Sequence, residues 1–517
     1  MANMTLFRSL VGALIPRTDT RNEAGGPAYT LPPQQALAQY AATGCLNTTF
    51  YASAESQLDR VLDLCGRVTP EFVAKTAVYC RERGHMKDMP ALLLASVSRR
   101  DPKLMDRVFD RVVDTPRMLR TFVQVVRSGA TGRKSLGSAP KRCVRRWLDQ
   151  RTDAALFAAS VGNAPSLVDV VKMVHPKPST REREALYGYL MGRAVVREAL
   201  PPLVQQFEAF KAGDRLNVPD VPFQMLTALG LSRREWCDVA RRSSWQMMRM
   251  NLNTFARQGV FEEPTMTAHI AGRLRDASEI ARSRVFPYQL LAAYRSADSA
   301  VPIAVRNALE DAMELAIANV PRIDGQVYVC PDVSGSMRSA ITGHRKGATT
   351  TVRCVDVAAL VTAAIVRRNP TAEVLPFEQS VIPLRLSPRD SVMTNAERLA
   401  SVGGGGTCVS APLAQLNARK ATGDLVVIVS DNQSWVDAAG ARGTATLREW
   451  DVFHARNLRA RLVLIDLQPY TTTQATERED ILNVGGFSDQ VFEVLAEFAA
   501  GRLHSNHWVG LMESVAL

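Results

Sequence analysis

The stretch Leu425-Val-Val-Ile-Val429 constrains the fold more than any other five residues of the chain. Successive side chains of a strand point to opposite faces, so an unbroken apolar run is a strand buried on both sides. Such strands occur where helices cover both faces of a sheet. The same region supplies Gln326 to Cys330, Ala372 to Phe377 and Arg461 to Leu467 as further strands, with helical patterns at Val352 to Arg368 and Leu447 to Ala460 between them. Strands alternating with helices read as βαβ units, so residues 321–517 are expected to form a doubly wound parallel α/β sheet. Ligands of such sheets bind at the carboxyl ends of the strands.

Residues 1–320 read differently. Thr69-Pro70, Asp101-Pro102 and Thr115-Pro116 each place a capping side chain before a proline, the combination that starts a helix. Leu104, Val108 and Val112 follow at i, i+4, i+8; Leu119, Phe122, Val123 and Val126 continue the third segment to Gly129. Consecutive helices with hardly any strand-like alternation fit a helical-repeat solenoid or one irregular bundle, and periodicity does not separate the two.

With 517 residues, 46% of them hydrophobic, the chain has room for two to four cores. No run approaches ~18 apolar residues, and Leu6 to Ile15 is interrupted by Arg8, so a cytoplasmic protein is expected. The eight cysteines form no C-x-x-C pair and read as reduced core residues. Charge is unevenly placed: residues 1–320 carry +13 and residues 321–517 carry −1. A polyanionic partner for the first region follows from that split.

Two places concentrate chemistry. In the sheet region, Cys330 leads into Pro331-Asp332-Val333-Ser334-Gly335-Ser336, a Gly403-Gly-Gly-Gly-Thr407 loop follows, and the apolar strand ends at Ser430-Asp431. The strand-end rule converges Asp332, Ser334, Ser336, Thr407 and Asp431, an all-oxygen set suited to one hard divalent cation, Mg2+ before Mn2+ or Ca2+. A Ser/Gly-rich turn of capping residues without metal is the plainer reading. An aspartyl-phosphate enzyme would need a carboxylate at position 334, where Ser334 stands; metal-assisted hydrolysis would need more carboxylates than two.

In the helical region, Arg133-Lys134 and Lys141-Arg142-Cys-Val-Arg145-Arg146-Trp147 form the densest basic cluster. Lys141 with Arg145, and Arg142 with Arg146, stack at i, i+4, and an anion would relieve their repulsion. Ser166 and Asp169 form an N-terminal capping box, and the helix they start ends at His175-Pro-Lys177-Pro178. A solvated helix face and a C-terminal histidine cap are the plain readings here.

The D-x-S-x-S…Thr…Asp order resembles the von Willebrand factor A domain with its metal-ion-dependent adhesion site. That resemblance implies a Rossmann-like sheet and a metal with an open position for a partner's carboxylate. Its combination with the basic helical region resembles the Ro ribonucleoprotein (TROVE) family, supported by Asn22-Glu-Ala-Gly-Gly26, Gly44, Thr49-Phe50-Tyr51, Lys141 to Trp147 and Met173 to Pro178. The resemblance implies a TROVE region at 1–320 made of HEAT-like helices closed into a ring, and an A domain at 321–517. It also implies a noncatalytic, monomeric RNA-binding protein without membrane contact that takes up Y RNA-like molecules and single-stranded ends of misfolded RNA. Such a protein acts in noncoding-RNA quality control or recruits an exoribonuclease, with RNA contacts at Arg133, Lys134, Lys141, Arg142, Arg145, Arg146, His175 and Lys177. One segment departs from the family: Ala158 to Pro165 is short and uncharged where Lys and Arg are usual. The rival reading is a metal-dependent adaptor whose basic helices dock an acidic protein.

Overall fold

The computed structural model describes residues 15–43, 46–283, 285, 287–317, 320, 322–344, 352–436, 443–486, 490–501 and 507–517. Gly44, Cys45 and most of the Leu6 to Ile15 stretch lie outside them. The chain divides into two compact units, one of Met1–Arg67, Arg275–Ser296 and Arg306–Ser514, the other of Val68–Leu274, Ala297–Val305 and Val515–Leu517.

The second unit is helical. Thr69, Asp101 and Thr115 are the N-caps of Pro70–Glu82, Pro102–Val112 and Pro116–Arg127; each side chain accepts a backbone N–H of the first turn, as the sequence signals predict. The stripe Leu104, Met105, Val108, Phe109 and Val112 is buried, and Phe109 meets Phe122 of the next helix edge-on at 5.3 Å. Trp147, in Ser138–Asp149, is fully buried, and its indole N–H donates to the Val113 carbonyl at 2.6 Å. Burial of this kind stabilises the unit by roughly 1.5–3 kcal/mol per large side chain.

The first unit holds the predicted sheet. Along the chain its strands are β1 (Thr20–Arg21), β2 (Pro27–Thr30), β3 (Val327–Pro331), β4 (Glu373–Val374), β5 (Leu425–Ser430), β6 (Arg461–Asp466), β7 (Thr472–Thr473) and β8 (Ile481–Gly485). A five-stranded parallel sheet runs in the order β4-β3-β5-β6-β8. Every residue of β3 and β5 is buried. On one face Tyr328, Cys330, Val426, Ile428, Leu462 and Leu464 meet Leu413 and Leu416 of the helix Ala411–Ala418 and Trp450 and Phe453 of Ala445–Arg456. On the alternate face Val329, Val427 and Val463 are equally buried, and Cys354–Arg368 packs against β3.

β4 is shorter than the predicted 372–377 strand because Pro376 lacks an N–H. Pairing still resumes beyond it, with the Phe377 N–H donating to Pro331 O at 3.0 Å. A second, antiparallel sheet of order β1-β2-β7 joins the N-terminal segment to this unit, through Tyr29 opposite Thr473 and Thr30 opposite Thr472. Seven cysteines are described; among the described residues none is in a disulfide, and six of the seven are buried. Among the described residues no helix is long and apolar enough to cross a membrane.

Candidate metal centre and basic surface

The register of the sheet assembles the candidate metal centre. Pro331 pairs with Val429, so Asp332 and Ser430 leave the strand ends side by side. The Asp332 N–H donates to Val429 O at 2.8 Å, and the Ser430 hydroxyl donates to Asp332 Oδ2 at 2.6 Å. The Ser334 N–H turns back to Asp332 Oδ1 at 2.8 Å, while the Ser334 and Ser336 hydroxyls lie 3.4 Å apart. The Gly403–Thr407 loop crosses directly above this turn, with the Gly335 N–H donating to Gly405 O at 2.8 Å. Glycine is required for that approach: a Cβ on Gly403, which has φ +78°, would sit 2.3 Å from Val333 O. Thr407 is tied to the third loop, its carbonyl accepting the N–H groups of Trp435 and Val436 at 3.2 and 3.1 Å.

All five predicted ligands therefore lie at one end of the sheet, and all are buried, from Asp332 and Ser334 at 0% exposure to Ser336 at 5%. Burial, then the charge of Asp431, raises the Asp332 pKa; burial raises that of Asp431, against a hydrogen bond from Ser336. Among the described residues neither carboxylate is in an ion pair. Two buried carboxylates beside three hydroxyls, without a protein cation, fit a hard divalent ion: it would supply the missing positive charge and accept oxygen ligands. Among the described residues no three His, Cys, Asp or Glu side chains are grouped to hold an ion, so such a centre draws on hydroxyls and water beyond its two carboxylates.

The structure adds groups that the motif does not single out. Asp466, at the end of β6 and opposite Ser430, is buried, and its pKa is raised well above the usual carboxylate range by burial and by Asp431. Its signal is the one that reveals Asp431, an aspartate closing an apolar strand. Two residues of the N-terminal segment lie nearby: Asn22 donates to Ser434 O at 2.7 Å, and the Tyr51 ring meets Tyr470 edge-on at 6.4 Å.

The basic residues lie in the helical unit. Ser166 and Asp169 form the predicted capping box, and His175 caps the helix Leu167–Val174 with φ +50°, exposed like Lys177. Arg145 Nε donates to Val174 O at 2.5 Å, which brings the basic helix and the His175–Lys177 element together. Arg142 and Arg146 correct one expectation. Their crowding is relieved from within: Arg142 pairs with Asp106 at 2.9 Å, and Arg146 with Asp106 and Asp110 at 2.6 and 3.0 Å. The two guanidiniums hold the Asp106 carboxyl down at about 2. Arg133 donates to Ser98 O at 3.2 Å, and Lys134 is exposed. Among the described residues, Arg145, Lys134, His175 and Lys177 are the exposed members of the cluster without a carboxylate contact, and Lys141 is half-buried.

Comparison with known proteins places these two regions in one architecture. Residues 161–314 match the TROVE domain and residues 326–499 the Ro60 vWA domain, so the chain carries a TROVE domain followed by a von Willebrand factor A domain of Ro type. The basic helix Ser138–Asp149 precedes the matched TROVE range. Over 520 aligned residues the chain is 25% identical to the RNA-binding protein RO60 of Deinococcus radiodurans, a match covering 93% of this chain and 96% of that one. The crystal structure of the Deinococcus radiodurans RO (RSR) protein shares its fold, with a TM-score of 0.62 and 21% identity across 91% of this chain and all of the other.

Proposed function

We propose that the chain is a noncatalytic RNA-binding protein of the Ro type. The observation that carries this reading is the basic surface on which Arg145 links the 138–149 helix to the His175–Lys177 element, in the region that holds the whole cationic excess. Similarity along nearly the full chain to a protein named as RNA-binding supports it. Phosphate contacts from Arg133, Lys134, Lys141, Arg142, Arg145, Arg146, His175 and Lys177 would position a small structured noncoding RNA, Y RNA-like, while single-stranded ends of misfolded RNA pass to a quality-control nuclease. Arg142 and Arg146 enter such contacts only by exchanging Asp106 and Asp110 for phosphate. HEAT-like helices and a cytoplasmic, monomeric protein complete the reading.

The second element of the proposal is one divalent cation, Mg2+ first, held by Asp332, Ser334, Ser336, Thr407 and Asp431. When bound, the ion supplies the positive charge that the paired carboxylates lack. Its role is structural or adhesive rather than hydrolytic, because only two carboxylates would face it.

Ultraviolet crosslinking of RNA to the full chain, followed by mapping of the linked peptides, tests the reading. Crosslinks are expected in 133–177. Crosslinks confined to 326–499, or purified protein that neither carries nor takes up nucleic acid, would replace it with the acidic-protein adaptor.

A further inference from the structure

The proposed ligands sit on loops far apart in the chain: the turn from Asp332 to Ser336 follows β3, and Thr407 closes the glycine loop. Their separation decides which ion fits between them. Two consecutive residues beyond β4 hold that separation. The Phe377 N–H donates to Pro331 O at 3.0 Å, and Phe377 O accepts the Val333 N–H at 2.9 Å, so this residue grips the backbone on both sides of Asp332. Its ring is fully buried in the core of the sheet, which anchors the grip from below.

Glu378 grips the other loop. Its carbonyl accepts the Cys408 N–H at 2.8 Å, the amide joined directly to Thr407, and its side-chain Oε2 accepts the Gly405 N–H at 2.7 Å. Thr407 is thus bracketed by two hydrogen bonds to one residue. The Gly405 carbonyl closes the circuit by accepting the Gly335 N–H of the Asp332 turn at 2.8 Å. Glu378 is itself fixed by a tight reversal of the chain, its N–H donating to Ser380 O at 3.0 Å and the Ile382 N–H to Pro376 O at 2.7 Å. The approach of its carboxylate depends on glycine: a Cβ on Gly405 would lie 2.9 Å from Glu378 Oε2.

Mg2+ demands near-ideal octahedral geometry at about 2.0–2.1 Å, whereas Ca2+ accepts irregular ligand sets at about 2.3–2.6 Å. A site tells the two apart only where its ligands stand at a fixed separation. We propose that Phe377 and Glu378 set the gap between the Asp332 turn and Thr407 and thereby raise the preference of the centre for the smaller ion, with the Glu378 side chain as the specificity-determining group. Glu378 is a positioning residue: it acts through Gly405 and the Thr407–Cys408 amide, as a hydrogen-bond acceptor rather than as a charge. The inference rests on the metal reading above and deepens it, since a loose centre and a braced one present the same five ligands but discriminate differently between ions.

The test is calorimetric titration of the full chain with Mg2+ and, separately, with Ca2+, read as the ratio of the two affinities. Wild type, Glu378→Gln, Glu378→Ala, Gly405→Ala and Asp332→Ala are compared. Glu378→Gln keeps an acceptor oxygen at the same reach, Glu378→Ala removes it, and Gly405→Ala leaves Glu378 in the chain but displaces its carboxylate from the Gly405 N–H. Glu378→Ala and Gly405→Ala should each lose about tenfold or more in Mg2+ affinity and much less in Ca2+ affinity, while Glu378→Gln keeps the wild-type ratio. A general loss of stability would weaken both ions alike and leave the ratio where it was. An unchanged ratio in Glu378→Ala and Gly405→Ala, or a Glu378→Gln variant as impaired as Glu378→Ala, would overturn the selection while leaving the metal reading intact. No uptake of either ion by wild type, or equal uptake by Asp332→Ala, would remove the metal reading and the selection together.

Discussion

Asp106 decides whether Arg142 and Arg146 belong to the fold or to the ligand. Its carboxylate holds both guanidiniums, at 2.9 and 2.6 Å, and its pKa falls from the ordinary 3.8 to about 2. At ~1.4 kcal/mol per pH unit, that fall sets a ceiling of about 2.5 kcal/mol on its contribution to stability. The pair faces solvent, the Asp106 side chain being 26% exposed and that of Arg142 63%, so screening brings the figure to about 1 kcal/mol. The sign is that of a depressed acid: the stabilisation is present above pH ~4 and is lost as pH falls towards about 2. Asp106→Asn keeps the shape and removes the charge, so urea denaturation at pH 7 should show a loss of about 1 kcal/mol that shrinks in acid. The same substitution releases Arg142 to phosphate and leaves Arg146 held by Asp110 alone. Binding of a structured RNA, followed by fluorescence anisotropy, should tighten several-fold and depend more steeply on salt. A loss of stability with unaltered RNA affinity and salt slope would refute the argument and leave Arg142 and Arg146 as scaffold.

Other substitutions separate fold from site. Gly403→Ala forces a Cβ to within 2.3 Å of Val333 O at positive φ; it should cost about 1–3 kcal/mol in thermal denaturation and weaken Mg2+ uptake measured by calorimetry. Asp332→Ala should abolish the Mg2+ heat and leave RNA affinity unchanged, with no RNA cleavage in wild type whether or not chelator is present. Thr115→Ala, which removes the cap on Met118 N–H, should cost about 1 kcal/mol without touching RNA binding.

Much of this was legible in the sequence where a single physical signal sufficed. Thr69, Asp101, Thr115 and the Ser166–Asp169 box announce helix starts because an N-cap is a local event. Leu425 to Val429 announces a central strand because nothing else accommodates five consecutive buried side chains. Contacts between distant segments were less visible. β8 carries the buried Asn483 in place of an alternating pattern, and β2 pairs with β7 across more than 400 residues. Asn22 and Tyr51 stand out only as family elements, and their contacts with Ser434 and Tyr470 depend on tertiary placement. The charge strip 141–146 was visible, but Asp106 and Asp110, one helix away, were not visible as its partners. The N-terminal segment has a practical consequence too: a fragment beginning near residue 321 would lose β2 from the edge of β7 and the bonds of Asn22 and Glu23 to the loop after Asp431. Binding tests therefore belong on the full chain.

The central claim, that RNA binds the basic surface of the helical unit, is tested most directly by salt titration. Anisotropy of a labelled structured RNA should be measured at several salt concentrations for wild type and for a variant with Lys141, Arg145 and Lys177 all changed to Ala. Each phosphate contact contributes about 0.7 to 0.9 to the log–log slope, so three lost cations should make it shallower by roughly 2 and weaken binding at low salt by tenfold or more. An unchanged slope and affinity, in a variant whose denaturation matches wild type, would contradict the assignment of RNA to this surface.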